Sequence, residues 1–568
     1  MAKFDAIVIG SGMSGGWVAK ELAERGLKVL ILDRGKKIIP TEDFTDMKHP
    51  WELSNFDRIP MDEAKEKYAM VSKGAGYALH DSNKHFWARE DLSPYETEGE
   101  TKFNWLRGYS SGGKSLLWSR QSYRLGPQDF TANLEDGHGV DWPIRYDDLK
   151  PWYEHVETFA GIAGNADGLP QLPDSVFQPP FPMNCVEKSV KAKIEAAFPT
   201  RNVIHARCAH LTEPTQEQYD LGRGKCQSRS HCNRGCSFGA YFSSVTATLP
   251  AAERTGNVTH IAYAVVDSLV YDGDTGLVSG VRVIDANTKA RTTYTARMFF
   301  VSAGTIATGA ILLNSTSEHF PTGIANGSGQ LGRNIIDHVS GGGASGIVPG
   351  FEDEYRAGRR PAGIYIPRFS NITEDEPKFL RGFGYQGGAG RSGWTGNRAG
   401  VGEDFKRANR TPGPWRIGIG AFGEVLPREE NRMYLHATKK DAYGIPVPVF
   451  DTRMSDNELH MMQRAGEAAG EMLRAAGCTD IRVRIPETID DITPMGDRIH
   501  EMGTARMGRD PSSSVLNKWN QTHEVDNLFV TDGACMASSG CQNPSLTYMA
   551  IAARAAHHAA DLLEKGLL

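Results

Sequence analysis

No run of lysine and arginine occurs in this sequence. Its 63 basic and 69 acidic residues are interspersed along 568 positions and leave a formal charge of −6. The concentrated positive field by which proteins hold nucleic acid is missing, and that class of function is set aside. Long hydrophobic runs are missing too. The most apolar stretch, Met298 to Leu313, is interrupted by Ser302, Gly304, Thr305, Thr308 and Gly309 and falls short of the ~20 residues that span a bilayer. The opening residues, MAKFDAIVIG, lead straight into an apolar β pattern without the basic and apolar regions of an export signal, so no such signal is expected. Cysteine is scarce, with 8 residues in the chain, which argues against a disulfide framework. Three of the eight, Cys226, Cys232 and Cys236, nevertheless crowd into one loop, KCQSRSHCNRGCSFGAYFS.

What is present is a globular composition, 40% hydrophobic and 23% charged. The length asks for roughly two to four structural units. Residues 4–10 (FDAIVIG) read as a buried strand, 14–26 as a helix and 28–33 (KVLILD) as a second strand, which is one βαβ unit. From about 40 to 100 periodicity is poor, which suggests a surface excursion or oligomer arm. Within DWPIRYDDLKPWYEHVETFAGIAG, Trp152, Tyr153, Val156 and Phe159 fall at helical spacing and read as a packed face. Residues 257–302 alternate as short strands (NVTHIAYAVV, GVRVIDA, RMFFVSA), the last running into AGTIATGAILLNS, a second strand-turn-helix. Residues 341–490 carry isolated strands such as GIYIPRF and RGFGYQGG, taken as a mostly antiparallel second domain. The fold expected is α/β: a Rossmann-type dinucleotide-binding domain interleaved with an α+β substrate domain built on a mostly antiparallel sheet. The first would take 1–40, 100–125, 225–340 and 495–568, the second 126–224 and 341–494, and 41–99 would be the arm.

Gly10-Ser11-Gly12-Met13-Ser14-Gly15 is a G-x-G-x-x-G between a strand and a helix, and Asp33 ends the next strand. Gly10 permits the tight turn, Gly12 lets the backbone approach a pyrophosphate, Gly15 lets helix and strand pack closely, and Asp33 can accept from ribose hydroxyls. The motif alone does not separate NAD from FAD. Near the other end, Asn543-Pro544 opens a helix, and on local grounds Asn543 reads as an ordinary N-cap with Pro544 at N1. His500 lies in a Gly-rich loop, RIHEMGTARMGRDP. The three clustered cysteines leave three readings open: an iron–sulfur cluster, a Cys3His zinc site using His231, or free thiols.

The fingerprint, RGYSSGGKSLLW, SAGTIATGAILL, GQLGRNIIDH, IHEMGTARMG and TDGACMASSGCQNPS occur in the order found in glucose-methanol-choline (GMC) flavoprotein oxidoreductases, which the chain resembles at both ends and in the middle. The resemblance implies FAD, with expected contacts at Gly10, Gly12, Met13, Ser14, Gly15, Asp33, Arg34, Gly112, Ser115, Trp118, Val266, Ala303, Asp532, Gly533 and Ser545. It also implies that His500 and Asn543 meet over the flavin. Alcohol oxidation needs a proton acceptor while hydride leaves carbon, which suits a neutral imidazole at 500 and an amide at 543 that holds the same oxygen. The helix after Pro544 would point its positive end at the flavin. Relatives that attach FAD covalently use a histidine where Leu117 stands, so the flavin is expected to be non-covalent.

The cysteine spacing resembles that of bacterial sugar and polyol dehydrogenase flavoprotein subunits, which implies a [3Fe-4S] site on Cys226, Cys232 and Cys236. Nearly the whole chain resembles the catalytic subunits of FAD-dependent glucoside 3-dehydrogenases. That implies oxidation of a pyranoside C3 hydroxyl, a small partner subunit bearing the export signal, a cytochrome c acceptor and a periplasmic location, with a cytoplasmic one as the alternative. An oxidase using O2 is the rival reading, and other sugar or polyol donors (gluconate, sorbitol, glucose) are alternatives. Tyr385, Gln386, Glu424 and Trp394 are candidate sugar contacts.

Overall fold

The computed structural model describes residues 3–355, 361–391, 401–410 and 412–568. A five-stranded, fully parallel sheet organises the first half of the fold. Its strands are β1 (Phe4–Ile9), β2 (Val29–Leu32), β3 (Val258–Ile261), β4 (Ala296–Val301) and β5 (Leu528–Val530), in the spatial order β5-β4-β1-β2-β3. The inner strands β1, β2 and β4 are almost entirely buried, as continuous apolar runs covered on both faces must be. Three helices follow the ends of these strands: α1 (Gly15–Glu24), α2 (Thr305–Asn314) and α3 (Ser545–Glu564). Because β1 and β4 are adjacent and parallel, the turns that lead into α1 and α2 open at the same edge of the sheet.

The stretch NVTHIAYAVV, read as one strand, is two. Tyr263 takes a left-handed φ of 56°, so the chain leaves β3 and starts Ala264–Asp272, which pairs with Leu277–Asp285 in a separate three-stranded antiparallel sheet. Residues 40–99 hold short helical pieces and one two-residue strand, Glu96–Thr97, which pairs with Pro446–Asp451. They pack on the cysteine loop, where Thr45 N–H donates to Arg234 O (2.9 Å) and Phe44 covers Gly235.

The second sheet has seven strands, and all its pairings are antiparallel. The order is Thr479–Arg484, Gly343–Ile347, Trp415–Glu424, Phe383–Arg391, Ile364–Ile366 and Ile204–His205, with His338–Val339 paired to the end of Trp415–Glu424. The helix Asp456–Ala475 packs on one face of this sheet, and the strand Phe383–Arg391 reaches the start of α3 from the other. Among the described residues no helix is long and apolar enough to cross a membrane.

The turn before α1 leaves no room for a side chain. Gly10 has φ +89°, and a Cβ on Gly15 would stand 1.8 Å from the Gly10 carbonyl oxygen. Neither chain segment can yield, since β1 is locked between two strands. Gly15→Ala is therefore expected to cost about 3 kcal/mol or more and to lose bound flavin. Thermal unfolding with flavin content measured on the same sample tests this, and wild-type values in both would contradict it.

Candidate active site

A cavity of about 2190 Å³, counted out to its open mouth, runs from the β1–α1 turn to the start of α3. Gly10, Gly12, Met13, Ser14, Asp33, Arg34, Ser115, Trp118, Val266, Ala303, Asp532, Gly533 and Ser545 line it. Gly15 and Gly112 do not. Gly15 serves helix packing, and Gly112, at φ +84°, shapes its turn and donates its N–H to Ser11 Oγ (2.9 Å). The lining fits FAD on several counts. A Cβ on Gly12 would meet only the Gly112 carbonyl at 3.7 Å, so the backbone there is open to close approach. The cavity includes residues at the N-terminal ends of α1, α2 and α3, where unpaired N–H groups favour anions. Arg107, missed at the sequence level although it stands in the RGYSSGGKSLLW stretch, is buried in the lining with Nε and Nη2 unpartnered.

Two expected contacts are already engaged within the protein. Asp33 accepts from Ser11 N (2.9 Å), Ser11 Oγ (2.5 Å) and His260 Nε2 (2.7 Å). Asp532 accepts from Gly304 N (2.8 Å), Thr308 Oγ1 (2.5 Å) and Ala534 N (3.0 Å), tying the second glycine turn to β5. A carboxylate offers about four acceptor positions, so neither is saturated.

At the end of the cavity beside α3, His500 and Asn543 come together. Asn543 Nδ2 lies 3.3 Å from His500 Nε2, and Asn543 Oδ1 accepts from Gln386 Nε2 at 2.5 Å. On the other side of the ring, His500 Nδ1 lies 2.9 Å from His338 Nδ1, and His338 Nε2 lies 3.0 Å from Gly540 O. Burial, then the neighbouring His338, Lys114 and Arg498, hold His500 well below the usual histidine range. Burial holds His338 at about 4. The Lys114 ammonium pairs with the buried Glu501 carboxylate at 2.6 Å, and both line the cavity. His338 was legible only as the last residue of the GQLGRNIIDH stretch.

The helix-cap reading of Asn543 does not hold. The helix begins at Ser545 with Pro544 as its N-cap residue, and no side chain caps it, because the Asn543 amide is turned toward Gln386 and His500. Of the candidate sugar contacts, only Gln386 reaches this site. Side chains alternate along a strand, so its neighbour Tyr385 points to the opposite face and donates to Ala465 O (2.6 Å). Glu424 is buried against Arg381 at 2.8 Å and does not line the cavity. Trp394 lies outside the described residues.

None of the eight cysteines is in a disulfide. Among the described residues the one trio of His, Cys, Asp or Glu ligand atoms within 4.8 Å of one another is Asp337, His338 and His500, not the cysteine loop. In that trio the two Nδ1 atoms face each other in a hydrogen bond, and Asp337 accepts three backbone N–H groups. His231 joins no such ligand group among the described residues, and its Nδ1 faces Asp46 O (3.0 Å) and Arg234 Nη2 (2.9 Å). The sulfurs of Cys226 and Cys236 do collect donors. Cys236 receives backbone N–H groups of Phe238, Ala240 and Tyr241, and Cys226 those of Ser228, while burial and the neighbouring thiols push both upward. Tyr241 in turn donates its hydroxyl to Ser115 O (2.8 Å) in the cavity wall.

His260 supplies a pH test of the fingerprint end. Burial lowers its pKa, but the carboxylates of Asp33 and Glu253 outweigh burial and raise it from 6.5 to about 9. A group raised on folding stabilises most below its unfolded pKa and loses that contribution as pH rises through the folded one. The melting temperature should therefore fall between pH 6.5 and about 9, and His260→Gln should flatten the slope in that window. An unchanged slope in the variant would contradict the assignment.

The comparisons with known proteins agree with this architecture. The family model described as GMC oxidoreductase matches residues 4–340 and 427–552. The fructose dehydrogenase large subunit of Gluconobacter japonicus is 28% identical over 581 residues, covering 99% of this chain and 98% of that protein. The 2-methyl-1,2-propanediol dehydrogenase of Mycolicibacterium austroafricanum is 28% identical over 568 residues, covering 97% and 94%. Among solved structures, pyridoxine 4-oxidase from Mesorbium loti superposes with a TM-score of 0.60 at 16% identity, covering 98% and 99%, a likeness of fold. With its parallel flavin-type sheet, its antiparallel second sheet and these matches, the chain belongs to the GMC oxidoreductase family.

Proposed function

We propose that this protein is an FAD-dependent dehydrogenase that oxidises a secondary hydroxyl of a glucoside or related pyranoside, at C3, to the 3-keto sugar. The observation that carries the reading is the pairing of His500 Nε2 with Asn543 Nδ2 in the wall of a cavity that fits FAD. An imidazole lone pair and an amide N–H side by side match one alcohol oxygen, which donates its proton to the first and accepts from the second. His500 takes the hydroxyl proton at Nε2. Asn543 keeps its hydrogen bond to the same oxygen, and Gln386 holds the amide oxygen so that the NH2 group faces the base. FAD, when bound, accepts the hydride that leaves the carbinol carbon. Leu117, which lines the cavity, cannot form a histidyl link, so FAD is held non-covalently.

A sugar as donor is supported by the fructose dehydrogenase relative, whose name also speaks of a large subunit. A small partner subunit, a cytochrome c acceptor and a periplasmic location follow as parts of the same proposal. In it, Cys226, Cys232 and Cys236 would hold a [3Fe-4S] cluster, which would supply a one-electron exit for the reduced flavin. Backbone N–H groups aimed at the sulfurs of Cys226 and Cys236 are the donor set such clusters use, and Tyr241 links Cys236 to the cavity wall through Ser115.

Adding a glucoside anaerobically to the FAD-loaded protein should bleach the flavin absorbance, and His500→Ala should slow that bleaching by ~10²–10⁴-fold. Bleaching at the wild-type rate in the variant would remove His500 from the reaction, and no bleaching by any pyranoside would remove the sugar reading. Cys232→Ser should leave sugar-driven bleaching intact, lose iron and slow reduction of cytochrome c. Zinc in place of iron, or undiminished cytochrome reduction, would overturn the electron path through the cysteine loop.

A further inference from the structure

We infer that His338 is a positioning residue that fixes which ring nitrogen of His500 carries the proton, leaving Nε2 as the bare, basic one. This rests on the reading of His500 as the base. The carbonyl oxygen of Gly540 can only accept. His338 Nε2, 3.0 Å away, must therefore be the donor. A neutral imidazole carries one N–H, so Nδ1 of His338 is left as an acceptor. His500 Nδ1 faces it at 2.9 Å and must donate, because two lone pairs or two protons at that separation would repel. The one remaining nitrogen of His500, Nε2, is then unprotonated, and it is the one beside the Asn543 amide. The opposite tautomer would break the contact with His338 and place a proton where the substrate hydroxyl must deliver its own.

The surrounding backbone fixes the alignment. Asp337 Oδ1 accepts the backbone N–H of both His338 (2.7 Å) and His500 (3.1 Å), and Oδ2 accepts that of Gly496 (2.7 Å), so one carboxylate sets the separation of the two histidines. The rings stand nearly perpendicular, at 87°, with centroids 4.9 Å apart. Gly540, at φ +59°, lies in the same SSGCQN loop as Asn543. That one loop therefore supplies both the carbonyl that selects the tautomer and the amide that shares the substrate oxygen.

A carboxylate could also hold a histidine in this orientation, as in the serine protease triad, but it would stabilise the charged ring and raise its pKa. A neutral imidazole orients without doing so. The charged and titratable groups around His500 are His338, Lys114 and Arg498, with Asp337 and Glu501 behind them, and the cationic ones prevail.

The test uses the FAD-loaded protein with His338→Leu, His338→Gln and His338→Glu. Leucine removes the acceptor and should slow sugar-driven flavin reduction by between ~10 and ~10⁴-fold, the upper figure being what a wrong tautomer costs in a serine protease, with little change in apparent sugar affinity. Glutamine, whose amide oxygen can accept from Nδ1–H, should restore most of the rate. Glutamate should restore orientation but move the acid limb of the pH profile upward by at least ~1 unit. Nitrogen-15 NMR of labelled histidines, with His500 assigned by its loss in His500→Ala, reads the tautomer directly. Wild type should show Nδ1 protonated and Nε2 bare, and His338→Leu should show Nε2–H. Wild-type His500 with Nε2–H, or a leucine variant with unaltered tautomer and rate, overturns the inference. Should the leucine variant fail to fold, the wild-type spectrum and the glutamine–glutamate difference in pH profile still decide. If wild type is not reduced by any sugar, the proposed function fails, while the NMR result stands on its own.

Discussion

The Asp337 carboxylate is the point on which the geometry of the site depends. It is fully buried, no cation among the described residues forms an ion pair with it, and three backbone N–H groups from two distant stretches of chain satisfy it. Burial and the nearby Glu501 push it up to about 7, so its environment disfavours charge even while the backbone donors invite it. Those donors belong to Gly496, His338 and His500. The carboxylate therefore ties the chain after residue 336 to the chain after 495, and it places one histidine at the end of each stretch. Everything on the hydroxyl side follows from that placement: His338 meets His500, His500 meets Asn543, and Asn543 is steadied by Gln386 from the antiparallel sheet. The last contact is also where the two sheets share one task, since Gln386 lies on a strand of one and Asn543 follows a strand of the other.

At the α3 end of the cavity each cation has a carboxylate partner, Glu501 for Lys114 and Asp497 for Arg498. Burial first, then His338, Lys114 and Arg498, hold His500 well below the usual histidine range. At the opposite end Asp33 gathers Ser11 and a histidine held at about 9, so the acid of the fingerprint is neutralised in place.

The fold was legible where backbone requirements are local. The glycines at 10 and 15 could be read from sequence because a tight turn with a close helix leaves no room for a Cβ, and Gly12 because its bare backbone stays open to close approach. Strand and helix types followed from apolar runs, although a single left-handed residue, Tyr263, split a run that looked continuous. His500 and Asn543 were not legible from local pattern, which favours a solvated histidine and a helix cap; the family resemblance singled them out. Tyr385 and Gln386 show why the rest was hidden. They are neighbours of similar polarity, and which one faces the cavity depends on the phase of a strand set by its partners in space. Glu424 misled for a related reason, since its partner Arg381 lies far from it in sequence. His338 escaped notice because its role is defined by a carbonyl oxygen, which no side-chain pattern records.

The account centres on one alcohol oxygen shared by His500 and Asn543, and a complex reports that directly. The measurement is a crystal structure of the FAD-loaded protein with the oxidised sugar bound. The account predicts a single sugar oxygen within about 3.2 Å of both His500 Nε2 and Asn543 Nδ2, with Gln386 still on the Asn543 carbonyl. A sugar whose nearest oxygen approaches Lys114 or Glu501 instead, with His500 Nε2 facing no sugar oxygen, would contradict it.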